Sequence, residues 1–154
     1  MIRRAENRDI PSLDRLLLQV LAVHAQGRPD IFKPGTKKYT DAELEALIAD
    51  DSTPIYVYDD GEVRGYAFCA FQFTPETNNM HARRSIYIDD LCVDAAARGK
   101  GIGRSLFEHV KRVAAEADCA AVTLNVWALN PGAYEFYVKM GLQPLKTLME
   151  MKLL

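Results

Sequence analysis

The sequence predicts an α/β fold built on one mixed sheet, and two observations carry that prediction. The first is an antiparallel meander. Three runs read as strands, Pro54 to Tyr58, Val63 to Phe73 and Ser85 to Val93, with the hairpin signal Asp60-Gly61 and the polar stretch Thr74 to Arg83 between them. The second is a crossover: the strand Ser85 to Val93, a glycine-rich turn, an amphipathic helix and a further strand, Ala121 to Val126. The full order reads β-α-α-β-β-β-α-β-α-β-β. A meander joined to one β-α-β unit makes a mixed sheet, not a doubly wound parallel one. The chain of 154 residues suits a single domain, 1–154, long enough to bury about 70% of its unfolded surface.

Each element has a local reason. Ile2 to Ala5 reads as a short first strand. Asp9 is placed to cap a helix with Pro11 in its first turn, where a missing N–H does little harm. Ile10, Leu13, Leu17, Val20, Leu21 and His24 then fall on one helical face. Gly27, Pro29, Pro34 and Gly35 break the chain into a loop that runs to Tyr39. Thr40 and Glu43 form a capping box for a second helix, with Leu44, Leu47 and Ile48 on its inner face. After the meander, Ile102, Leu106, Val110, Val113 and Ala117 recur at helical spacing. Pro131 to Met140 reads as a short helix stopped by Gly141, and Leu142 to Leu154 as two final short strands.

Composition excludes several classes. The chain is 49% hydrophobic and 26% charged, as in ordinary globular proteins. Its net charge of -2, from 19 basic and 21 acidic residues, argues against nucleic acid as the main partner. No apolar run approaches the ~20 residues needed to span a bilayer. The first residues lack the apolar core of a secretory signal, so a cytoplasmic location without membrane attachment is expected. Cys69, Cys92 and Cys119 are far apart in apolar sequence and read as buried, reduced thiols; metal-ligand spacing is absent and no metal is expected.

The stretch Arg98-Gly99-Lys100-Gly101-Ile102-Gly103 concentrates the functional signal. It lies between an apolar strand and a helix N-terminus, where glycines let the backbone approach an anion and the first N–H groups of the helix lack internal partners. Arg98, Lys100 and Arg104 bring three cations to that end. Cations there oppose the helix dipole unless an anion is bound. The bland alternative is an exposed turn that only caps a helix. A dinucleotide site is disfavoured, because no acid ends the next strand near Asn125. A P-loop is excluded by the lack of Gly-Lys-Ser/Thr.

Arg98-x-x-Gly101-x-Gly103 resembles the acetyl-CoA pyrophosphate motif of the GNAT N-acetyltransferases. The run from Asn130 through Ala133, Phe136 and Tyr137 to Gly141-Leu142 is similar to a second motif of that family, Asn-x-x-Ala-x-x-Phe-Tyr-x-x-x-Gly-Phe. The element order agrees, and the resemblance covers essentially the whole chain. It implies the GNAT fold, with the strands around 85–93 and 121–126 splayed apart. It implies acetyl-CoA as donor, its pyrophosphate held by Arg98, Gly99, Lys100, Gly101, Ile102, Gly103 and Arg104. The pantetheine arm would lie along the backbone of Leu91, Cys92 and Val93 and touch Asn130. Homodimers are common in the family, and a homodimer is expected on that ground alone.

Acetyl transfer to an amine requires a base, since an alkyl ammonium has a pKa of about 10.4. It also requires an oxyanion donor and a proton for the leaving thiolate. Ala133, Phe136, Tyr137 and Met140 form one stripe of a short helix. Tyr137 is then either a core tyrosine bonded to a carbonyl or, as the resemblance implies, the general acid. Asp89 and Asp90 interrupt an apolar strand, and alternation is expected to send them to opposite faces, with one toward the substrate. They are either the base or a salt bridge; similarity to diamine acetyltransferases ranks Asp89 ahead of Asp90. The same resemblance offers the Leu91 N–H as the thioester-oxygen donor. Asn125 stands where ribosomal-protein N-terminal acetyltransferases place a glutamate, which argues against that subgroup.

The acceptor, a small-molecule or peptide amine, is expected on the variable first half. The loop from His24 to Tyr39 carries Arg28, Asp30, Phe32, Lys33, Lys37, Lys38 and Tyr39, and its cations are candidates to attract an acidic group. His24, Phe32 and Trp127 are weaker candidates for substrate contact, against ordinary packing. His81 and His109 read as surface residues. The leading function is an N-acetyltransferase acting on a primary amine. Its competitors are a non-catalytic CoA-binding regulatory module and a protein-modifying acetyltransferase.

Overall fold

A computed structural model describes all 154 residues. The strands are β1 (Ile2–Arg4), β2 (Ile55–Asp59), β3 (Val63–Thr74), β4 (Arg83–Val93) and β5 (Ala121–Leu124). The helices are α1 (Ile10–Gly27), α2 (Asp41–Ala49), α3 (Ile102–Glu116) and α4 (Pro131–Lys139). The sheet runs β1-β2-β3-β4-β5; all neighbours are antiparallel except β4 and β5, which are parallel. This is the expected mixed α/β architecture. No helix is long and apolar enough to cross a membrane.

The sheet separates two cores. On one face, Leu13, Leu16 and Leu17 of α1 and Leu44 of α2 bury against Val57, Tyr66 and Phe68. On the other, Ile102, Leu106, Phe107 and Val110 of α3 bury against Ala67, Ile86 and Ile88. Gly65 lets α3 approach this closely. A Cβ there would lie 2.8 Å from the Cys92 carbonyl oxygen and 3.1 Å from Leu106 Cδ1.

The Thr40–Glu43 capping box forms in both directions, at 3.2 and 3.1 Å. Two local expectations fail. Asp9 does not cap α1; its carboxylate turns back to accept from the Glu6 N–H at 2.7 Å and from the Arg3 guanidinium. A fixed guanidinium beside a buried carboxylate outcompetes a single cap bond. The two final strands are also absent. Residues 143–154 form no regular element, and no backbone–backbone hydrogen bond in the chain reaches beyond Leu142. A strand exists only with a partner, and this segment finds none within its own chain.

Candidate active site

The loop after β4 is fixed before it reaches the glycines. The Asp94 N–H donates to the Arg64 carbonyl at 2.7 Å. Its carboxylate accepts from the Ala96 N–H at 3.1 Å, from Gln19 Nε2 at 3.3 Å and from Arg15 of α1. Those donors, the guanidinium foremost, hold its carboxyl down at about 2. Asp94 is therefore a loop anchor rather than a free acid of the cleft. Gly99 and Gly101 then adopt φ of +81° and +77°, which glycine alone takes without strain, and nothing lies within 4 Å of where their Cβ atoms would be. The first backbone hydrogen bond of α3 runs from the Ser105 N–H to the Gly101 carbonyl at 3.0 Å. The N–H groups of Ile102, Gly103 and Arg104 thus precede the helical ladder. Arg98, Lys100 and Arg104 are exposed around them, and none forms an ion pair. An open cradle with three uncompensated cations fits a pyrophosphate.

Beside it the sheet splits. β4 and β5 pair only from Ser85↔Ala121 to Ile88↔Leu124, although β4 continues to Val93. The expected splay is present. Asp94 and Arg64 are hydrogen-bonded partners, so alternation aims the backbone groups of Cys92 at Tyr66 of β3. Those of Leu91 and Val93 point the other way, into the opening, and the Val93 carbonyl receives Arg98 Nε at 3.4 Å. The Cys92 thiol faces α1 and is pushed up to about 12 by burial, then by the Asp90 charge.

The acidic pair departs from alternation. The β3–β4 register jumps from Phe68↔Asp90 to Cys69↔Ile88, so Asp89 is the extra residue of a β-bulge. A bulge resets the parity of a strand. Ile86 and Ile88 lie on the α3 face before it, and Leu91 and Val93 after it. Asp89 and Asp90 therefore share the face toward α1 and α2, not opposite faces. Asp89 accepts from Lys38 Nζ at 2.9 Å and from the Tyr39 hydroxyl; the Tyr39 ring stacks on Phe68 at 5.6 Å. Asp90 accepts from the Tyr66 hydroxyl at 2.7 Å. Burial pushes its carboxyl up to about 6, against the lowering pull of Tyr66 and of the Lys38 charge.

On α4, the Asn130 side-chain oxygen caps the helix, accepting from the Ala133 N–H at 3.2 Å. The cap turns its amide N–H₂ away from the helix, free to meet a ligand carbonyl. Tyr137 is half-buried, and its hydroxyl makes no hydrogen bond within the chain. Burial, then the Asp90 charge and Cys92, raise its phenol well above its ordinary value, so it stays protonated at neutral pH.

His24, Phe32 and Trp127, distant in sequence, form one aromatic wall. Phe32 lies 4.9 Å from His24 and 5.0 Å from Trp127. Burial and then the Lys38 charge lower the His24 pKa and favour its neutral form. The loop cations behave otherwise than expected. Arg28 pairs with Asp30 and Glu150, Lys37 with Asp14 and Asp41, and Lys38 with Asp89, so of these basic residues only Lys33 forms no ion pair. His109 is not a plain surface residue either, since its ring packs 4.5 Å from Tyr56. Sequence reasoning missed Arg15, Gln19 and Tyr66, whose partners lie far along the chain. Only the polar positions of Arg15 and Gln19 on a largely apolar helix hinted at the first two.

A splayed parallel pair with an anion cradle at one mouth defines an acyl-CoA-type transferase fold. The Acetyltransferase (GNAT) family profile matches residues 20–142, and the chain belongs to that family. It is 36% identical over 62 residues to thialysine N-epsilon-acetyltransferase of Bos taurus, a stretch covering 40% of this chain and 36% of that protein. The Sus scrofa protein of the same name is 31% identical over 81 residues, covering 53% of this chain and 45% of its own. The match thus spans less than half the length of those relatives. Among solved structures, a mutant of the BH1408 protein from Bacillus halodurans superposes with a TM-score of 0.97 at 31% identity, covering 100% of this chain and 99% of its own.

Proposed function

We propose that this protein transfers the acetyl group of acetyl-CoA to a primary amine by direct attack on the thioester. The observation that carries the reading is the opening between β4 and β5, with the backbone of Leu91 and Val93 turned into it beside the α3 N-terminus and its unpaired cations. Arg98, Lys100, Arg104 and the N–H groups of Ile102 and Gly103 grip the pyrophosphate. Gly99 and Gly101 leave room for it. The edges of Leu91 and Val93 take the pantetheine amides as a further strand would, and Asn130 adds a side-chain donor.

Asp90 takes the ammonium proton, directly or through a water. A carboxyl held near 6 is charged at neutral pH yet far more basic than an ordinary aspartate. Asp89, paired with the Lys38 ammonium and held by the Tyr39 hydroxyl, orders the acceptor loop instead. The freed amine attacks the thioester carbon, and the Leu91 N–H donates to the oxygen as it becomes anionic. When the C–S bond breaks, Tyr137 gives its proton to the departing thiolate, the acetylated nitrogen sheds its second proton to solvent to leave a neutral amide, and Tyr137 recovers a proton from solvent. The names of the mammalian relatives end the transfer on an ε-nitrogen, which supports a flexible-chain amine as acceptor. His24, Phe32 and Trp127 would wall the apolar part of that chain.

The test is release of free thiol from acetyl-CoA with a panel of acceptors: thialysine, lysine, polyamines, aminoglycosides and lysine-containing peptides. Turnover with a thialysine-like amine supports the reading. Tight CoA binding with no turnover of any acceptor refutes it in favour of a regulatory CoA-binding module.

A further inference from the structure

The Lys38 ammonium sits on the acidic pair that an acceptor must approach. It is itself a primary alkyl ammonium, 2.9 Å from Asp89 Oδ1 and 5.7 Å from the centre of the Tyr39 ring. Its charge is felt on both sides of the acceptor site. After burial and the Tyr66 hydroxyl, it is the next influence on the Asp90 carboxyl; after burial, it is the influence that lowers His24 of the aromatic wall. One cation thus acts on the acidic pair and on the wall together.

An exposed ion pair is often worth little, because both side chains are free to leave it. This one is held by its neighbours. Lys37 bonds to Asp14 of α1 and Asp41 of α2, and the Tyr39 ring stacks on Phe68 of β3 at 5.6 Å. The Tyr39 hydroxyl donates to Asp89 Oδ2. Residue 38 is therefore pinned from both sides, and Asp89, 23% exposed, has both carboxylate oxygens occupied. The charge balance follows. Asp89 and Asp90 could offer two negative charges to an acceptor, and Lys38 cancels one. The other, on Asp90, receives the proton of the reacting ammonium. The loop supplies no replacement: residues 28–39 carry four basic residues and one acidic, Asp30, which pairs with Arg28 and Lys152. Lys33, next to Phe32 of the wall, forms no ion pair.

We propose that Lys38 sets acceptor specificity: it occupies Asp89 in place of a second ammonium and so restricts the site to amines whose far end carries no net positive charge, monoamines and amino acids, and excludes di- and polyamines. The proposal rests on the acetyl-transfer reading of the site and narrows its acceptor. A diamine must either expel Lys38 from Asp89 or bring a cation beside it. Like charges a few ångströms apart in a partly desolvated site repel strongly enough to decide between substrates. A carboxylate at the far end of the acceptor meets a basic loop instead. Lys38 touches no reacting atom in this scheme; it acts through the charge that Asp89 presents.

The experiment compares 1-aminohexane, 1,6-diaminohexane and lysine on four proteins: the parent, Lys38→Met, Lys38→Arg and the double variant Lys38→Met with Asp89→Asn. Binding is read by calorimetric titration of the CoA-loaded protein, and turnover by thiol release from acetyl-CoA. The parent should bind and use the monoamine and lysine at least as well as the diamine. Lys38→Met removes the charge and should raise the preference for diamine over monoamine by about 10-fold. Lys38→Arg should keep the parent's preference, and Asp89→Asn added to Lys38→Met should cancel the gain. The ratio carries the test, since a merely structural lysine would affect both amines alike. Lys38→Gln takes the place of Lys38→Met if circular dichroism shows the latter unfolded. A ratio that rises by less than about threefold overturns the inference. So does a parent that prefers the diamine, a gain that survives Asp89→Asn, or a set of proteins that binds neither amine. Binding ratios of the expected pattern without any turnover would uphold the role of Lys38 and refute acetyl transfer. Turnover with unchanged ratios would uphold acetyl transfer and refute the role of Lys38.

Discussion

Tyr137→Phe separates chemistry from folding unusually well in this protein. The hydroxyl has no hydrogen-bond partner within the chain, so its removal strands no buried donor or acceptor. The ring keeps its packing beside Phe136, 5.2 Å between centroids. Stability should therefore change by less than about 0.5 kcal/mol. The catalytic effect should be far larger. A thiol of ordinary acidity, pKa about 8.5, leaves poorly as a bare thiolate from a partly buried site. A positioned general acid contributes about 10²–10⁴ in rate, or about 2.7–5.5 kcal/mol of barrier. We expect kcat to fall by that factor in the thiol-release assay, with the Kd for CoA and the melting temperature near those of the parent. A donor thioester of a more acidic thiol should restore much of the loss, because its leaving group needs no proton. An unchanged kcat, or a loss that the better leaving group does not relieve, would refute the assignment of Tyr137.

Three further outcomes follow from the same geometry. With Asp90 near 6, log kcat/KM should rise with pH below that value and level off above it; Asp90→Asn should abolish the rising limb and cost about 10²–10⁴ in rate, whereas Asp89→Asn should keep the limb. Gly65→Ala would drive a Cβ to 2.8 Å from the Cys92 carbonyl oxygen, and thermal melts should show a loss of about 1–3 kcal/mol; an unchanged melting temperature contradicts the packing of α3. Asp94 titrates lower when folded, at about 2, than when unfolded, at about 3.9, so its stabilisation is full above the unfolded value and is lost as pH falls toward 2. The stability gap between the parent and Asp94→Asn should therefore be widest near neutral pH and narrow in acid, and a gap that does not change with pH would contradict the anchor.

What could be read in the sequence was whatever local spacing encodes. The cradle is legible because strand, glycines and helix are contiguous. The same holds for the Thr40–Glu43 capping box, a signal four residues long. The bulge at Asp89 is not legible, since no glycine marks it and it exists only in the register of β4 against β3. Its consequence, two carboxylates on one face, reverses what alternation implies. The loop cations misled for a related reason: Lys38 and Asp89 are 51 residues apart, and Arg28 and Glu150 are 122 apart. Sequence displays their charges but not their neutralisation. The final strands show the opposite error. Their pattern is real, but pattern supplies only one half of a strand pair.

The central claim is that the donor lies in the opening between β4 and β5 with its pyrophosphate on the α3 N-terminus. Amide hydrogen exchange, with and without CoA, measures this at single backbone groups. CoA should slow exchange at Ile102 and Gly103, whose N–H groups precede the helical ladder, and at Leu91 and Val93, whose backbone faces the opening. The Cys92 amide, already aimed at β3, should be little changed. Binding of CoA that leaves the first four amides as they were, or protects only residues elsewhere, would contradict the account.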